Sequence, residues 1–318
     1  MVEEARELAY VNAELVGADC TTEDETIEAA RWADVILTAG AQMTRRVMES
    51  LPKCRAIVRY GVGYDTIDVD AATDNGILVV NIPDFCVEEV SNHAITLLLA
   101  CAKKLVLLNN GTKQGRWADS KRAQAPMVSI YGQTLGLVGC GNIGRMTARK
   151  ARCFDLRVVG YDPYVDRSLT EEHAIALEDL SELLVESDFV SLHTPLNEET
   201  WHLIGEEELK QMKSTAYLIN TARGSVIDET ALIRALKEKW IAGAGLDVFE
   251  EEPVDHDSPL LRMDNVVVTP HSASYCDASF KRLYTCVGQE AARVLNGHWP
   301  RNYVNKGVKP RVNLVQED

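Results

Sequence analysis

Residues Thr134 to Asp162 read TLGLVGCGNIGRMTARKARCFDLRVVGYD, and no other stretch restricts the fold of this chain so tightly. A short apolar run (Leu135, Leu137, Val138) leads into Gly139-Cys140-Gly141-Asn142-Ile143-Gly144, then a helical pattern to about Phe154, then a second apolar run ending in Tyr161-Asp162. The order is strand, glycine turn, helix, strand. A dinucleotide needs this layout. Gly139 allows a tight turn, Gly141 lets backbone approach a pyrophosphate, and Gly144 brings helix against strand, while the helix start at Asn142 and Ile143 offers N–H groups to the anion. Ordinary glycine turns also match so short a pattern, but here Asp162 follows Gly144 by 18 residues, about where an acid accepts hydrogen bonds from an adenosine ribose. Asp162 also repels a 2′-phosphate and no Arg immediately follows it, so NAD is favoured over NADP.

With 318 residues the chain is long enough for two domains, each with its own core. A net charge of −15 and a pI near 5.0 argue against nucleic acid or an anionic membrane as a direct ligand, because neither attracts an acidic body. The eight cysteines form no C-x-x-C pair and no cluster with metal spacing, so no metal is expected. Several lie inside apolar runs, as small hydrophobes do, and reduced thiols in a cytoplasm are the expectation. No signal peptide is visible, and no apolar run reaches the ~18 residues of a membrane span.

The first 90 residues alternate between short apolar runs and helical patterns. Strands are predicted at 13–16, 35–37, 56–58 and 77–80, with helices near 23–33, 44–50 and 68–75, a small parallel α/β unit. The segment RYGVGYD, from Arg59 to Asp65, reads equally as a simple turn or as one whose N–H groups hold a carboxylate. A long apolar helix is predicted from Val87 to about Asn109, with His93 inside it as a structural histidine. Residues 110–133 read as an irregular connection, and so long a loop is a candidate for dimerisation.

Beyond the glycine unit, polar groups follow apolar runs four times: His193-Thr194-Pro195, Asn220-Thr221-Ala222-Arg223, Asp247 with Glu252, and Thr269-Pro270-His271. Ligands of open α/β sheets collect at the carboxyl ends of strands. A reaction that moves hydride needs an anchor for the substrate and a proton source at its oxygen. Arg223 suits the first, with a permanent charge and a fork that matches a carboxylate. His271 suits the second, and Glu252 suits the far imidazole nitrogen. Singly, Arg223 fits a helix-flanking ion pair, Glu252 an acidic run and His271 a strand-end cap just as well. It is their joint placement after strands of one unit that points to chemistry.

The ordered set GCGNIG, YDP, HTPL, NTARGSVID, GLDVFEEEP and TPH closely resembles that of the D-isomer-specific 2-hydroxyacid dehydrogenases, over nearly the whole chain. RYGVGYDTID, VEEVSN, YDPY and TPHSASY are most similar to the branch holding the C-terminal binding proteins, NAD(H)-binding corepressors, and their bacterial dehydrogenase relatives. The resemblance implies two Rossmann-like or flavodoxin-like domains with parallel sheets: a substrate domain of residues 1–90 and 274–318, and an inserted NAD domain of residues 91–273 that also forms homodimers. It further implies that Arg223 binds substrate, Glu252 and His271 are catalytic, and Asp162, Thr194, Pro195 and Thr200 line the adenosine end. Thr221 and Asp247 would stand near the nicotinamide and Ala222 would also bind the cofactor, Val62 and Gly63 would hold the substrate carboxylate by backbone, and Arg59 would add a second basic contact.

The implied activity is NAD-dependent interconversion of a small 2-keto acid and its D-2-hydroxy acid. An NAD(H)-sensing corepressor-like scaffold is the alternative. Three departures stand out: Ser274 replaces a Trp of the corepressor branch, no extra regulatory domain is expected beyond residue 318, and the chain opens MVEEARELAYVNAEL, already helical, where family members open with a strand. The expectation is therefore that Met1 is a truncated or misplaced start.

Overall fold

Parallel strands separated by helices, as the alternating apolar runs predict, build both of the units into which the chain divides: Met1–Cys86 with Cys276–Asp318, and Val87–Tyr275. The computed structural model describes residues 2–316. The first unit opens with α1 (Val2–Ala9) and α2 (Glu23–Ala30), then runs β1 (Val35–Thr38), α3 (Arg45–Glu49), β2 (Ala56–Arg59), α4 (Val69–Asp74) and β3 (Leu78–Val80). Helix starts follow local chemistry: Thr22, Thr44 and Asp68 each accept a first-turn N–H, and Glu25 completes a capping box with Thr22. The three strands pair in parallel in the order β1-β2-β3. Asn305 closes the outer edge of β3, its amide donating to Ile77 C=O at 2.8 Å and its oxygen accepting Val79 N–H at 3.0 Å.

The strand expected at 13–16 is absent. Those residues are irregular, with Val16 76% exposed, because an apolar run of four stays a strand only where a neighbour completes its ladder.

The second unit begins with α5 (Val87–Ala102), α6 (Leu105–Lys113) and α7 (Trp117–Ala123). The single helix predicted to Asn109 is instead two, bent by 62° where Lys104 adopts a left-handed φ of +49°. Lys104 Nζ also donates to Ala123 C=O at 3.1 Å, tying the bend to the end of α7. The connection read as irregular therefore holds the end of α6 and all of α7. There follow β4 (Thr134–Val138), α8 (Asn142–Arg152), β5 (Arg157–Tyr161), α9 (Arg167–Glu172), β6 (Ala176–Leu177), α10 (Leu180–Glu186) and β7 (Phe189–Leu192). The run closes with α11 (Glu206–Gln211), β8 (Tyr217–Asn220), α12 (Glu229–Glu238), β9 (Gly243–Leu246) and β10 (Val266–Val268), and α13 (Asp277–Leu295) returns to the first unit.

Among the described residues the second unit's sheet has seven parallel strands in the order β10-β9-β8-β7-β4-β5-β6. The order reverses between β4 and β7, which opens a crevice beyond their carboxyl ends. Leu135, Leu137, Val190, Leu192, Leu218 and Ile219 are wholly or almost wholly buried in this sheet, each contributing roughly 1.5–3 kcal/mol. Helix α5 buries Leu97 and Leu98 in the cluster that holds Leu135, Leu137 and Ile219. No single helix among the described residues is long and apolar enough to cross a membrane.

Candidate active site

One hydrogen-bonded row crosses the second unit's sheet at its carboxyl end. Tyr161, Val138, Leu192, Asn220, Leu246 and Val268 stand in register, so the next residue of each strand emerges along a single line: Asp162, Gly139, His193, Thr221, Asp247 and Thr269. The row continues one step further. Gly139 N–H donates to Tyr161 C=O at 2.9 Å, His193 to Val138 at 2.7 Å, Asp247 to Asn220 at 2.9 Å, and Thr269 to Leu246 at 2.9 Å. Parallel pairing in matched register is what assembles residues more than a hundred positions apart.

The glycine turn lies at the reversal of strand order. Gly139 has φ +97°, and a Cβ there would come within 2.7 Å of the His193 backbone. A Cβ on Gly144 would come within 2.2 Å of Gly139 O, whereas one on Gly141 would meet nothing within 4 Å. Two glycines therefore let helix and strands close up, and the third leaves an open face. No side chain caps α8 at Gly141, so its first-turn N–H groups, from Asn142 and Ile143 onward, begin at that face. Asp162 Oδ2 accepts Cys140 N–H at 2.8 Å, and Oδ1 accepts Tyr164 and Val165 N–H at 2.9 and 3.0 Å. A hydrogen bond from Tyr164 OH to Glu199 links this turn to the loop after β7. In that loop Thr200 donates to Pro195 C=O at 2.6 Å and accepts Asn197 N–H at 2.9 Å.

Two buried hydroxyl oxygens at the strand ends, Thr194 Oγ1 and Thr221 Oγ1, have no hydrogen-bond partner among the described residues. Buried polar atoms are rarely left so, and orphaned hydroxyls beside an open glycine turn fit an extended polar ligand such as a dinucleotide. His193, in the same loop, is partly buried, with Ser191 Oγ 3.0 Å from its Nε2, and desolvation lowers its imidazole pKa to about 4.

Arg223, Glu252 and His271 follow the adjacent strands β8, β9 and β10. Asn220 shapes the first turn, accepting Ala222 N–H at 3.0 Å and donating to Arg223 C=O at 2.8 Å. Gly224 then lies so close to the next loop that a Cβ would fall 1.8 Å from Phe249 C and O. Phe249 N–H donates to Glu252 Oε1 at 3.1 Å, and Glu252 Oε2 stands 2.6 Å from His271 Nδ1. Burial opposes ionisation of Glu252, yet the hydrogen bonds from His271 and Phe249 and the charges of His271 and Arg223 hold its pKa below the ordinary carboxylate value. The structure thus brings this guanidinium, carboxylate and imidazole together.

His271 has a left-handed φ of +50°, a backbone state that costs a non-glycine residue roughly 1–2 kcal/mol. Asp247 holds it there. Its wholly buried carboxylate accepts Thr269 OH at 2.5 Å and the N–H groups of Ser272 and Ala273 at 2.9 and 2.8 Å, and its carbonyl accepts His271 N–H at 2.8 Å. Sequence reading passed over Gly224, whose motif NTARG was the available signal, and gave His93 no part, although its Nε2 lies 2.9 Å from Thr269 Oγ1.

Arg59 ends β2 in the first unit, and Val62 and Gly63 follow in the turn after it. There an Arg59 N–H donates to Tyr60 C=O, and Asn81 donates to Val62 C=O at 2.8 Å.

The family description "D-isomer specific 2-hydroxyacid dehydrogenase, NAD binding domain" matches residues 95–273. The chain is 46% identical over 266 residues to a glyoxylate reductase of Korarchaeum cryptofilum, covering 82% of this chain and 79% of that protein. Its fold is similar to a D-lactate dehydrogenase from Aquifex aeolicus complexed with NAD and lactic acid, at TM-score 0.79 and 32% identity, covering 92% and 91% of the two chains. It is also similar to an NADPH-dependent glyoxylate/hydroxypyruvate reductase from Sinorhizobium meliloti in complex with NADP and malonate, at TM-score 0.85 and 29% identity, covering 98% and 96%.

Proposed function

The chain belongs to the D-isomer-specific 2-hydroxyacid dehydrogenase family, and from that premise we propose that this NAD-dependent oxidoreductase acts on glyoxylate and similarly small 2-keto acids, with His271 as its acid/base. The observation that carries the proposal is the 2.6 Å contact between His271 Nδ1 and Glu252, with Arg223 close enough to bias the same carboxylate. When bound, the nicotinamide supplies the hydride to the keto carbon or takes it from the hydroxy acid. Glu252 accepts a hydrogen bond from Nδ1–H and fixes the ring, which leaves Nε2 to carry the proton given to the carbonyl oxygen. Arg223 holds the substrate's oxygens and offsets charge as it builds there.

The glycine turn, with Gly139, Gly141, Asn142, Ile143 and Gly144, would receive the pyrophosphate, and Thr194, Pro195, Thr200, Thr221, Ala222 and Asp247 would frame the rest of NAD. The orphaned Thr194 and Thr221 hydroxyls support that reading. The carboxylates of Asp162 and Glu199, joined through Tyr164, favour NAD by repelling a 2′-phosphate. In the first unit, Val62 and Gly63 would grip a carboxylate by backbone N–H, with Arg59 as a second cation. We assign the two units as substrate domain and NAD domain on the same grounds. Homodimerisation through the NAD domain, with residues 110–133 as its candidate surface, is supported by the exposed Trp117, Val128 and Tyr131. A cytoplasmic setting is supported by the eight cysteines, none of which is in a disulfide among the described residues.

The test is NADH oxidation with glyoxylate, hydroxypyruvate, pyruvate, 2-ketobutyrate and phosphohydroxypyruvate. The expected result is kcat/KM above ~10⁴ M⁻¹s⁻¹ on at least one small keto acid, with His271→Ala lowering turnover by about 10² to 10⁴ while NADH still binds. Wild-type turnover in that variant would overturn the role of His271.

A further inference from the structure

We propose that His93 is a positioning residue: through Thr269 and Asp247 it locks the turn that presents His271. The inference rests on the reading of His271 as acid/base. His93 lies on α5 and reaches the far end of β10 through a contact separated by 176 residues in sequence. The proton inventory fixes the direction of each bond. Thr269 has one hydroxyl proton, and the 2.5 Å approach to Asp247 Oδ1 places it between those two oxygens, since two unprotonated oxygens so close would repel. Thr269 Oγ1 can then only accept from His93, so Nε2 of His93 carries a proton across the 2.9 Å contact. That same N–H lies 3.5 Å from Asp247 Oδ1 and adds to the field around a carboxylate with no exposure to water.

The consequence is mechanical. Asp247 grips the N–H groups of Ser272 and Ala273, immediately beyond His271, and Thr269 stands two residues before it. Both flanks of the left-handed residue are therefore tied to one buried carboxylate. His93 ties that carboxylate's hydroxyl partner to helix α5, so Thr269 is held from both sides. Loss of the His93 donor frees the Thr269 side chain to rotate and loosens one flank of the turn, and the His271 ring leaves its alignment on Glu252 for part of the time. Bound coenzyme would be little affected, because Asp247 stays anchored by the Ser272 and Ala273 N–H groups and the glycine turn lies on β4, three strands away from β9 in the sheet order.

The experiment measures kcat, KM and NADH affinity for His93→Leu, His93→Gln, Thr269→Val and the double variant His93→Leu/Thr269→Val, beside His271→Ala, with the best keto acid of the screen. His93→Leu and Thr269→Val should each lower kcat by about tenfold, the loss of one buried hydrogen bond, with NADH affinity unchanged within about twofold. The double variant should fall no further than the worse single one, because both break one chain of contacts. His93→Gln, whose amide N–H can replace the lost donor, should recover most of the rate. Thr269→Val is nearly isosteric and keeps the test open if His93→Leu fails to fold. Wild-type kcat in both single variants while His271→Ala is inactive overturns the positioning role alone. Full activity in His271→Ala overturns the acid/base reading beneath it.

Discussion

His193 shows how one side chain sets a property of the whole chain. In the folded protein desolvation lowers its pKa to about 4, while in the unfolded chain the ring titrates near about 6.5. Between those values the unfolded state binds a proton that the folded state refuses, so stability falls as pH drops through this window and gains nothing above it. Glu252 acts lower on the scale. Its depressed pKa stabilises the fold above the ordinary carboxylate value, and that contribution is lost as pH falls through the folded value. Urea unfolding followed from pH 7 to pH 4 should show a midpoint that declines in the His193 window, and His193→Asn should flatten the decline by at most one proton. Equal slopes in the two proteins would refute the assignment. In sequence His193 is one polar residue of an HTP triplet, and only the packing around its ring gives it this pKa.

At the scale of elements, the crossing of the loops after β8 and β9 matters most. Gly224 approaches the Phe249 backbone so closely that a methyl group would overlap it. Gly224→Ala should therefore part the two loops and carry Arg223 away from Glu252. A displacement of about 1 Å is enough to lower kcat/KM for the keto acid by about 10²-fold, while NADH affinity should fall less, because the glycine turn lies on other strands and only Thr221, Ala222 and Asp247 share the parted loops. Steady-state kinetics beside an NADH fluorescence titration would check this, and unchanged kcat/KM would show that the loops yield without cost. Other elements explain where sequence reading fell short. Helix α5 was legible from its apolar run, but its break at Lys103-Lys104 was not, since the left-handed Lys104 is held by a bond to Ala123 from another helix. The run at 13–16 has a strand's composition and lacks a strand's neighbour.

For the molecule as a whole, α7 buries none of its residues, and Trp117 and Tyr131 are 66% and 74% exposed. Such a surface supports the proposed homodimer. Light scattering after size exclusion should give twice the chain mass of 35.2 kDa, and Trp117→Glu with Tyr131→Glu should halve it while circular dichroism stays the same. A wild-type monomer would remove the dimer from the account. The glycine turn and the alternation of strand with helix were readable in the chain, because each depends on the conformational freedom of one residue or on contacts within four. Arg223, Glu252 and His271 were readable as polar groups after apolar runs. That they are neighbours was decided by the tertiary structure, since β8, β9 and β10 lie side by side only through pairing across long loops. The network of His93, Thr269 and Asp247 lies wholly in that second class: a helix, a strand end and a buried carboxylate meet because the core packs them together, and no local window of sequence contains all three.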